Sequence, residues 1–489
     1  MSKLIVLFFL IPLIAFCFSL MFLKKTRLQK IMTVTFGAAH LILSFFLLNE
    51  VVSKGELNLY SAGWSFPFGI ALKLDVLSAV MLLATSLIYF CSSLYSELGK
   101  TCEKSEFYFP LLNMLFAGIS GAFVASDLFN LYVWFEITLL SSFVLMGLEH
   151  NKVRLSGNLK YIIINLLSSL MFLLGIAFVY SSTGSLNFLD LEVKLLSLQT
   201  TNPEYLLMMN LILFCAFAIK SGLFPFYQWL GASYPNLSPG LSGVCAGMLT
   251  KVGLYAIFRI NGLVFPTEKY IFYTLGIMAA LTMVCGVLKA ITQNSIRKIL
   301  SFHIISQVGY IAVAAYALCS PVPGVKKLAL MAGFFYAVHH IIVKTNLFFV
   351  SGIIKHCYKS ESLTKLSHIR HSSPLLAVLF VLPAMSLAGI PPSSGLWAKL
   401  ALFQLLLPLG SYFVIFCMIV AGFFTLFSMI KIWIGVFWGD GKDYPPMKEK
   451  LPLFPIIACG VLCFSSLVLA FFPSLLFDIL ETGLGMMNL

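Results

Sequence analysis

Residues 374–407 read PLLAVLFVLPAMSLAGIPPSSGLWAKLALFQLLL, an apolar run with Gly389-Ile390-Pro391-Pro392 near its centre. The run is too long for one straight helix, because a crossing of ~30 Å of hydrocarbon takes only about 20 residues. Proline removes a backbone hydrogen bond and clashes with the preceding turn, so we expect a broken helix here. A second apolar run, residues 206–230, contains Pro225 in mid-run and predicts a second broken helix.

The whole chain shares this apolar character. Of its 489 residues, 60% are hydrophobic and only 10% are charged, whereas a soluble domain carries about 25% charged residues. So few charges cannot cover a water-facing surface, which excludes a soluble enzyme, a nucleic-acid-binding protein and a disordered scaffold. No stretch is left for a sizeable aqueous domain, and we therefore expect no bound nucleotide, flavin, iron–sulfur cluster or other cofactor.

Apolar runs recur along the chain and predict about fourteen membrane spans. Each span must be a helix, because a bilayer offers no water to the backbone polar groups. The fold class is therefore an all-α polytopic membrane protein. The predicted spans are 4–23, 31–49, 73–95, 107–125, 128–148, 160–181, 206–230, 241–262, 270–289, 299–319, 330–352, 374–407, 411–437 and 451–472.

The two broken helices, the seventh and twelfth spans, indicate an internal repeat. Broken helices at corresponding positions of two halves are typical of inverted repeats in transporters. Each unit has five spans, an odd number, so the second copy inserts upside down. We expect three N-terminal spans in residues 1–106, one five-helix repeat in 107–262, a second in 263–437, and a last helix and tail in 438–489.

The net charge of +13 is concentrated in alternate short loops. This distribution follows the positive-inside rule rather than the pattern of a nucleic-acid-binding surface. It predicts a multi-pass membrane protein with both termini outside; Lys326 and Lys327, on the predicted outer side, do not fit. The predicted outer loops are poorer in basic residues, and one of them holds Lys194 with Asp190, Glu192 and Glu204. The basic residues of the predicted inner loops are Lys24, Lys25, Arg27, Lys30, Lys152, Arg154, Lys160, Arg297, Lys298, Lys355, Lys359, Lys365, Arg370, Lys442, Lys448 and Lys450.

The eleven cysteines lie mostly inside apolar runs, with no Cys-x-x-Cys pair and no metal-binding spacing that includes histidine. Cys459 and Cys463 share a helix face, but thiols in such positions are usually small packing residues. We therefore expect neither a metal site nor redox chemistry.

Ionisable residues inside the predicted spans are the candidate functional groups, because each costs about 2.5–3.5 kcal/mol on insertion scales. Lysine suits a proton relay, since its affinity for a proton changes with desolvation and with the distance to a carboxylate. A break beside a lysine would also open backbone groups to water. The residues are Glu136, Lys220, Lys251, Lys344 and Lys399, with His339 and His340 beside Lys344.

Structural roles remain open for several of these residues. Glu136 and Lys220 form either a relay or a static pair that holds two helices in register. Two helix faces with a four-residue repeat, Tyr336-His340-Lys344 and Lys251-Tyr255-Arg259, either conduct protons or only hydrogen-bond between helices.

His303 is either functional or structural, and Asp75 either attracts a cation or is a polar residue at a helix end. Lys431 is expected to extend to the headgroups.

Four motifs resemble the antiporter-like subunits shared by complex I and the Mrp-type multisubunit sodium/proton antiporters, most closely the Mrp D branch. They are Asp127-Leu-Phe-Asn-Leu-Tyr-Val-Trp-Phe-Glu136, residues 249–259 (LTKVGLYAIFR), residues 297–310 (RKILSFHIISQVGY) and residues 387–395 (LAGIPPSSG). The resemblance covers roughly residues 70 to 440. It implies a location in a bacterial inner membrane and partner membrane subunits, with protons and Na⁺ as the transported ions.

The resemblance also implies a role for each candidate residue. Glu136 and Lys220 would be the charged pair of a first half-channel, and Lys251 would bridge inward. Lys344 with His340 would continue a central hydrophilic axis, and Lys399 would be the terminal lysine of a second half-channel. The chain departs from the family after Lys220, where residues 224–233 (FPFYQWLGAS) lack a histidine before the tryptophan and an aspartate after it. Tyr227 and Gln228 remain to order water there.

Three functions are consistent with these features. The first is a subunit that moves protons while the assembled complex extrudes sodium. The second is a proton-pumping subunit of a redox enzyme such as NADH:quinone oxidoreductase or a membrane-bound hydrogenase, powered by partner chains. The third is a scaffold that has lost transport, which the altered segment after Lys220 motivates and the retained buried charges oppose.

Overall fold

The computed structural model describes residues 2–64, 69–96, 105–148, 152–438 and 447–487. Lys442, from one of the predicted basic loops, lies outside the described residues. The helices are α1 (Leu7–Met21), α2 (Thr26–Lys54), α3 (Val76–Tyr95), α4 (Tyr108–Val124), α5 (Leu128–Gly147), α6 (Lys152–Thr183), α7 (Phe188–Thr201), α8 (Pro203–Ser221), α9 (Gln228–Ser233), α10 (Pro239–Val244), α11 (Thr250–Ala256), α12 (Lys269–Ile291), α13 (Ile296–Leu318), α14 (Val325–Tyr358), α15 (Ile369–Ser372), α16 (Pro374–Ala388), α17 (Ser394–Leu406), α18 (Tyr412–Ile432), α19 (Leu453–Phe471) and α20 (Pro473–Gly485).

The described part of the chain contains twelve helices that are long and apolar enough to cross a membrane. Three shorter apolar helices, α4, α16 and α17, accompany them. The all-α polytopic fold is confirmed, while the number of fourteen spans stays a prediction. Large apolar side chains such as Ile42, Phe45 and Phe416 are exposed on the outer helices, as expected where helices face lipid tails.

Both predicted helix breaks are present. Gly222 follows α8 with φ 73°, and Gly389 follows α16 with φ 84°. Glycine adopts this left-handed conformation without the steric cost that a Cβ atom would bring, and it commonly ends helices in this way. Helix resumes at α9 in the first case and at α17 in the second. Each break therefore leaves carbonyl groups without intrahelical partners inside an apolar protein.

The centre of the protein is formed by three buried elements. One is a continuous rod, Pro239–Val264, in which α10 and α11 are joined and extended by two π-helical segments, Cys245–Leu249 and Ile257–Val264. The others are α13 and α14, whose apolar cores are almost entirely covered by other helices. With 34 residues, α14 is about 50 Å long. Ionisable side chains on these elements are thus kept away from lipid.

Three elements were not predicted. Strands β1 (Leu57–Tyr60) and β2 (Ala71–Leu74) form an antiparallel hairpin, which defines the hairpin face of the protein. Helix α7 is amphipathic and buries Leu191 and Leu195, although its charged residues had indicated a loop. Helix α20 follows the last predicted span, and Gly483 packs against Val76 at the start of α3.

A buried arginine at the start of α13 fixes the face opposite the hairpin. Arg297 is only 2% exposed, pairs through Nε with the Glu361 carboxylate, and donates from Nη1 to the Leu237 carbonyl at 2.7 Å. Partial burial of the Glu361 carboxyl raises its pKa, but Arg297 and Lys355 beside it outweigh burial and hold the pKa below its usual range. The pair therefore contributes stability that is present above the ordinary glutamate pKa of about 4.3 and is lost as pH falls below it.

We expect Arg297→Ala to destabilise the protein by about 2–3 kcal/mol, because it leaves Glu361 and a buried carbonyl without their partner. The measurement is the apparent Tm of the purified protein in detergent at pH 7. Lys298→Ala is the matched control, since Lys298 is the next residue and is exposed. Equal changes in Tm for the two variants would contradict the assignment.

Candidate functional site

Lys220 lies at the end of α8, two residues before the left-handed Gly222. Its Nζ donates to Ser169 Oγ on α6 at 3.1 Å and lies 5.3 Å from the centre of the Phe135 ring. A cation is favoured at this end of a helix, where unpaired carbonyls carry partial negative charge. The break therefore places the lysine beside the unpaired carbonyl end of α8, while its amine binds a hydroxyl on α6.

A cavity of about 30 Å³ adjoins Lys220. A single water needs about 10–15 Å³ of such space, so the cavity has room for about two. Polar atoms on its wall give those waters partners. The lining residues are Phe135, Thr138, Leu139, Tyr161, Asn165, Lys220, Trp229, Leu249, Val252 and Gly253.

Glu136 is half-buried on α5, next in sequence to Phe135, and its Oε1 is buried with no hydrogen-bond partner among the described residues. The expected direct pair with Lys220 is not formed: within the described ranges, no carboxylate oxygen lies within 4.0 Å of Lys220 Nζ. The reason is that the amine is turned toward Ser169 on α6. Glu136 and Lys220 are thus separate polar groups on adjoining helices rather than a closed ion pair.

Lys251 is 1% exposed and lies in the middle of the buried rod, between its two π-helical segments. Its Nζ donates to the Ala246 carbonyl at 2.7 Å, within the first of these segments. Isolated π-helical turns occur frequently at functional sites. Toward the hairpin face, the next residues on the same side of the rod are Tyr255 and Arg259, and Arg259 Nε donates to Tyr255 Oη at 2.9 Å.

The central helix α14 carries His340 and Lys344 in a fully buried position. Lys344 Nζ donates to the Leu300 carbonyl of α13 at 3.0 Å. Both ring nitrogens of His340 are buried without a hydrogen-bond partner in the described part of the chain, and the same holds for His303 on α13. Buried polar groups of folded proteins are almost always hydrogen-bonded, to ordered water where no protein group reaches them.

Tyr336, on the same face of α14, donates to Gln307 Oε1 at 2.6 Å. His339 contacts Ser394 Oγ at 2.9 Å through Nδ1, and Ser394 contacts Ser386 at 2.7 Å. This serine–histidine cluster joins α14 to both halves of the second broken helix. The sequence indicated His339 as a candidate but not its serine partners, because the members are separated by up to 55 residues and serines in apolar runs carry no distinct signal.

Lys399 lies on α17, after the second break. Its Nζ donates to the Ala388 carbonyl at 2.6 Å and to the Leu387 carbonyl at 3.3 Å, and lies 5.4 Å from the centre of the Tyr310 ring. The amine therefore sits at the free carbonyl end of α16, just as Lys220 sits at the end of α8. Gly389 makes this approach possible, since a Cβ atom there would lie 3.2 Å from Lys399 Nζ.

Lys431 and Asp75 are held by contacts of their own, and neither belongs to the set of buried lysines. The Lys431 Nζ donates to the carbonyls of Ile291 and Gln293 at the end of α12, both at 2.8 Å, and its expected extension to the headgroups stays a prediction. Asp75 is a polar residue at a helix end, where it caps α3 by accepting from the Ser78 amide at 3.0 Å, and it also pairs with Arg259.

Four lysines thus occupy the interior of the helical bundle, and each amine donates to a neutral oxygen. In the described ranges, none of Lys220, Lys251, Lys344 and Lys399 has a carboxylate within 4.0 Å. An amine with neutral partners can lose its proton without leaving a buried carboxylate unpaired, which would be costly. His303 and His340 lack hydrogen-bond partners in the described ranges. Together these groups place the chain in the class of polytopic membrane proteins with ionisable residues buried in the bundle, and such residues usually mark ion pathways.

Comparison with known proteins identifies the family within this class. The transmembrane family described as NADH:quinone oxidoreductase/Mrp antiporter matches residues 125–425. The chain belongs to this family. The D subunit of the Na(+)/H(+) antiporter of Alkalihalophilus pseudofirmus is 36% identical to it over 470 residues, 94% of each chain. The protein of the same name from Bacillus subtilis is 33% identical over 453 residues, 92% of this chain and 90% of the relative.

Solved structures agree with this placement. A chain in the structure of the Mrp complex from Dietzia sp. superposes with a TM-score of 0.91 and 29% identity, covering 99% of this chain and 96% of that one. A chain of the membrane-bound sulfane sulfur reductase, an archaeal respiratory membrane complex, superposes with a TM-score of 0.87. At 23% identity, over 99% of this chain and 98% of that one, the second likeness shows a shared fold.

Proposed function

We propose that this chain is a proton-translocating subunit of an Mrp-type Na⁺/H⁺ antiporter. The relatives that cover nearly its whole length are named for sodium/proton antiport, and the Dietzia chain belongs to an Mrp complex. The observation that supports the mechanism is the set of four buried amines with neutral acceptors. The protein is accordingly an ion-transporter subunit rather than a classical enzyme, and its partners are the other membrane subunits of the complex.

The proposed proton path begins at Glu136 and Lys220, beside the cavity at the first break. Desolvation and the approach of a negative charge act in opposite directions on a buried amine, so water that connects Glu136 to Lys220 would change how firmly the lysine holds its proton. Lys251 then receives the proton on the buried rod. His340 and Lys344 carry it across the centre, and Lys399 releases it near the second break.

The two breaks support the inverted-repeat proposal. In the first five-helix unit, residues 107–262, Lys220 occupies the carbonyl end of α8. In the second unit, residues 263–437, Lys399 binds the carbonyl end of α16. Each unit would thus supply one half-channel with an amine at a broken helix. The excess of basic residues in alternate loops supports an orientation with both termini outside, and the bacterial relatives support a location in a bacterial inner membrane.

The departure from the family after Lys220 leaves a different set of groups near the first break. Tyr227 is buried beneath Lys289, whose Nζ lies 4.8 Å from the centre of its ring. Gln228 is exposed, and the Trp229 indole donates to the Ile219 carbonyl at 3.2 Å. We propose that Lys289 and Gln228 form the polar mouth in place of the histidine and aspartate of the relatives.

The proposed function predicts sodium-dependent proton movement by the assembled complex. In everted vesicles from a host without its own sodium/proton antiporters, the complex should give dequenching of a pH-sensitive dye on addition of NaCl. The complex purified with this chain should contain several small membrane subunits. Co-purification of flavin-containing and iron–sulfur subunits, with no dequenching by NaCl, would instead indicate the redox-driven pump. Assembly without any proton movement would indicate the scaffold.

A further inference from the structure

A polar cavity of about 400 Å³ opens at the hairpin face, and none of the four buried lysines lines it. The hairpin, the start of α7, the end of the Pro239–Val264 rod and the residues after α20 surround it. Its charged lining residues are Glu56, Lys73, Glu192 and Arg259. Glu56 and Lys73 are paired with each other at 2.5 Å. Arg259 belongs to the buried rod, so the cavity reaches from an exposed rim to the element that carries Lys251.

Arg259 lies at the boundary between this cavity and the protein interior. Its side chain is 10% exposed and pairs through Nη2 with Asp75, whose side chain is 1% exposed. Asp75 Oδ2 is buried and has no hydrogen-bond partner in the described part of the chain. Asp75 does not line the cavity itself but is paired with Arg259, which does. A carboxylate with a free buried oxygen is suited to bind water or a cation, because it can accept further hydrogen bonds.

Below Arg259 the polar side chains continue inward along the rod. Arg259 Nε donates to Tyr255 Oη, which donates to the Phe123 carbonyl at 2.9 Å. Tyr255 and Lys251 both line a small cavity of about 10 Å³, which is close to the space of one water. Arg259, Tyr255 and Lys251 thus lie at successive four-residue steps, about 6 Å apart along the rod, between the hairpin-face cavity and the small cavity.

We propose that this cavity is the route by which protons reach Lys251 from the hairpin face, closed by the Asp75–Arg259 ion pair over Tyr255. Arg259 can exchange Asp75 for Glu192, which lines the same cavity and has no ion-pair partner among the described residues. That movement would uncover Tyr255 and the small cavity beneath it. The proposal rests on the proposed proton-translocating function, and it adds a positioning pair and an access path for protons or a small hydrated cation.

The test measures access to position 255 and needs no transport. The predicted orientation places the hairpin, between the second and third spans, on the outer side. Tyr255→Cys is introduced into the assembled complex in intact cells, and a membrane-impermeant cationic methanethiosulfonate is added from outside. Mass spectrometry of the peptide that contains residue 255 reports labelling there even though native cysteines remain. With the ion pair intact we expect slow labelling, and with Asp75→Asn in addition we expect labelling about tenfold faster. Asp75→Glu should restore slow labelling.

Ala256→Cys is the matched control, because Ala256 lies at the same depth and is fully buried away from the described cavities. It should label slowly in every background. If Asp75→Asn prevents assembly, Arg259→Gln breaks the same pair from the other side. Equal labelling of position 255 with and without the pair would overturn the proposal, as would equally fast labelling of Ala256→Cys. Normal exchange in Lys220 and Lys399 variants would overturn the proton relay instead, and the labelling result would still stand by itself.

Discussion

Lys220→Ala should abolish sodium/proton exchange while leaving the complex assembled. The amine at the end of α8 contacts Ser169 and adjoins a cavity with room for water, and alanine offers no group that can hold a proton there. Because acid–base groups typically contribute ~10²–10⁴-fold to the steps they catalyse, we expect the initial rate to fall by about a hundredfold or more. The measurement is NaCl-dependent dequenching of a pH-sensitive dye in everted vesicles, normalised to the amount of assembled complex.

Two variants separate proton transfer from charge and packing. Lys220→Arg keeps a positive charge and hydrogen-bond donors but cannot release its proton at accessible pH, so it should be nearly as inactive as Lys220→Ala. Lys194→Ala removes a lysine from the amphipathic α7, where it is paired with Asp190 at 2.9 Å, and should leave exchange near the wild-type rate. Wild-type exchange by Lys220→Arg would mean that the residue acts only through its charge.

The membrane fold and the candidate residues were accessible from the sequence because both depend on local signals. An apolar run of sufficient length specifies a helix in a bilayer wherever its neighbours lie. A lysine within such a run, as at Lys251 and Lys344, is visible as an exception to the pattern. The breaks after α8 and α16 were predictable for the same reason, since proline and glycine act on the backbone of their own helix.

The partners of these residues were not accessible, because they come from distant parts of the chain. Asp75 and Arg259 are 184 residues apart in sequence, and nothing in either segment specifies the other. Lys431 binds the end of α12, and the two segments that make this contact are 140 residues apart in sequence. The resemblance implies a charged pair of Glu136 and Lys220, yet the hydroxyl of Ser169, 51 residues before Lys220 in sequence, binds the amine.

The charged segment that forms α7 was expected to be a loop, and the prediction was wrong for a related reason. Asp190, Glu192 and Lys194 made residues 188–201 resemble a loop, whereas only every third or fourth position of α7 is buried. A helix that lies along a protein surface needs only a narrow apolar stripe. The wide apolar pattern that identifies membrane spans does not detect it. The hairpin-face cavity, which α7 helps to form, could therefore be found only in the structure.

Lys399→Ala should also abolish exchange, since Lys399 is the proposed terminal proton carrier of the second half-channel. Its Nζ binds the carbonyls of Leu387 and Ala388, so alanine also removes the group that caps α16. Lys399→Gln distinguishes the two roles, because its amide can donate to the same carbonyls but cannot carry a proton away. We expect exchange by Lys399→Gln to fall by about a hundredfold or more, with an apparent Tm close to that of the wild type.

Lys431→Ala provides the contrasting result, because Lys431 has the same kind of contacts without the proposed function. Its amine caps the end of α12 through two carbonyls, and hydrogen bonds to charged groups are each worth about 1.5–3 kcal/mol. Lys431→Ala should therefore lower the apparent Tm while exchange per assembled complex stays near the wild-type rate. Lys399→Gln should therefore lower exchange and leave the apparent Tm unchanged, whereas Lys431→Ala should lower the apparent Tm and leave exchange unchanged. Exchange by Lys399→Gln at the wild-type rate would place Lys399 with Lys431, as a helix cap rather than a proton carrier.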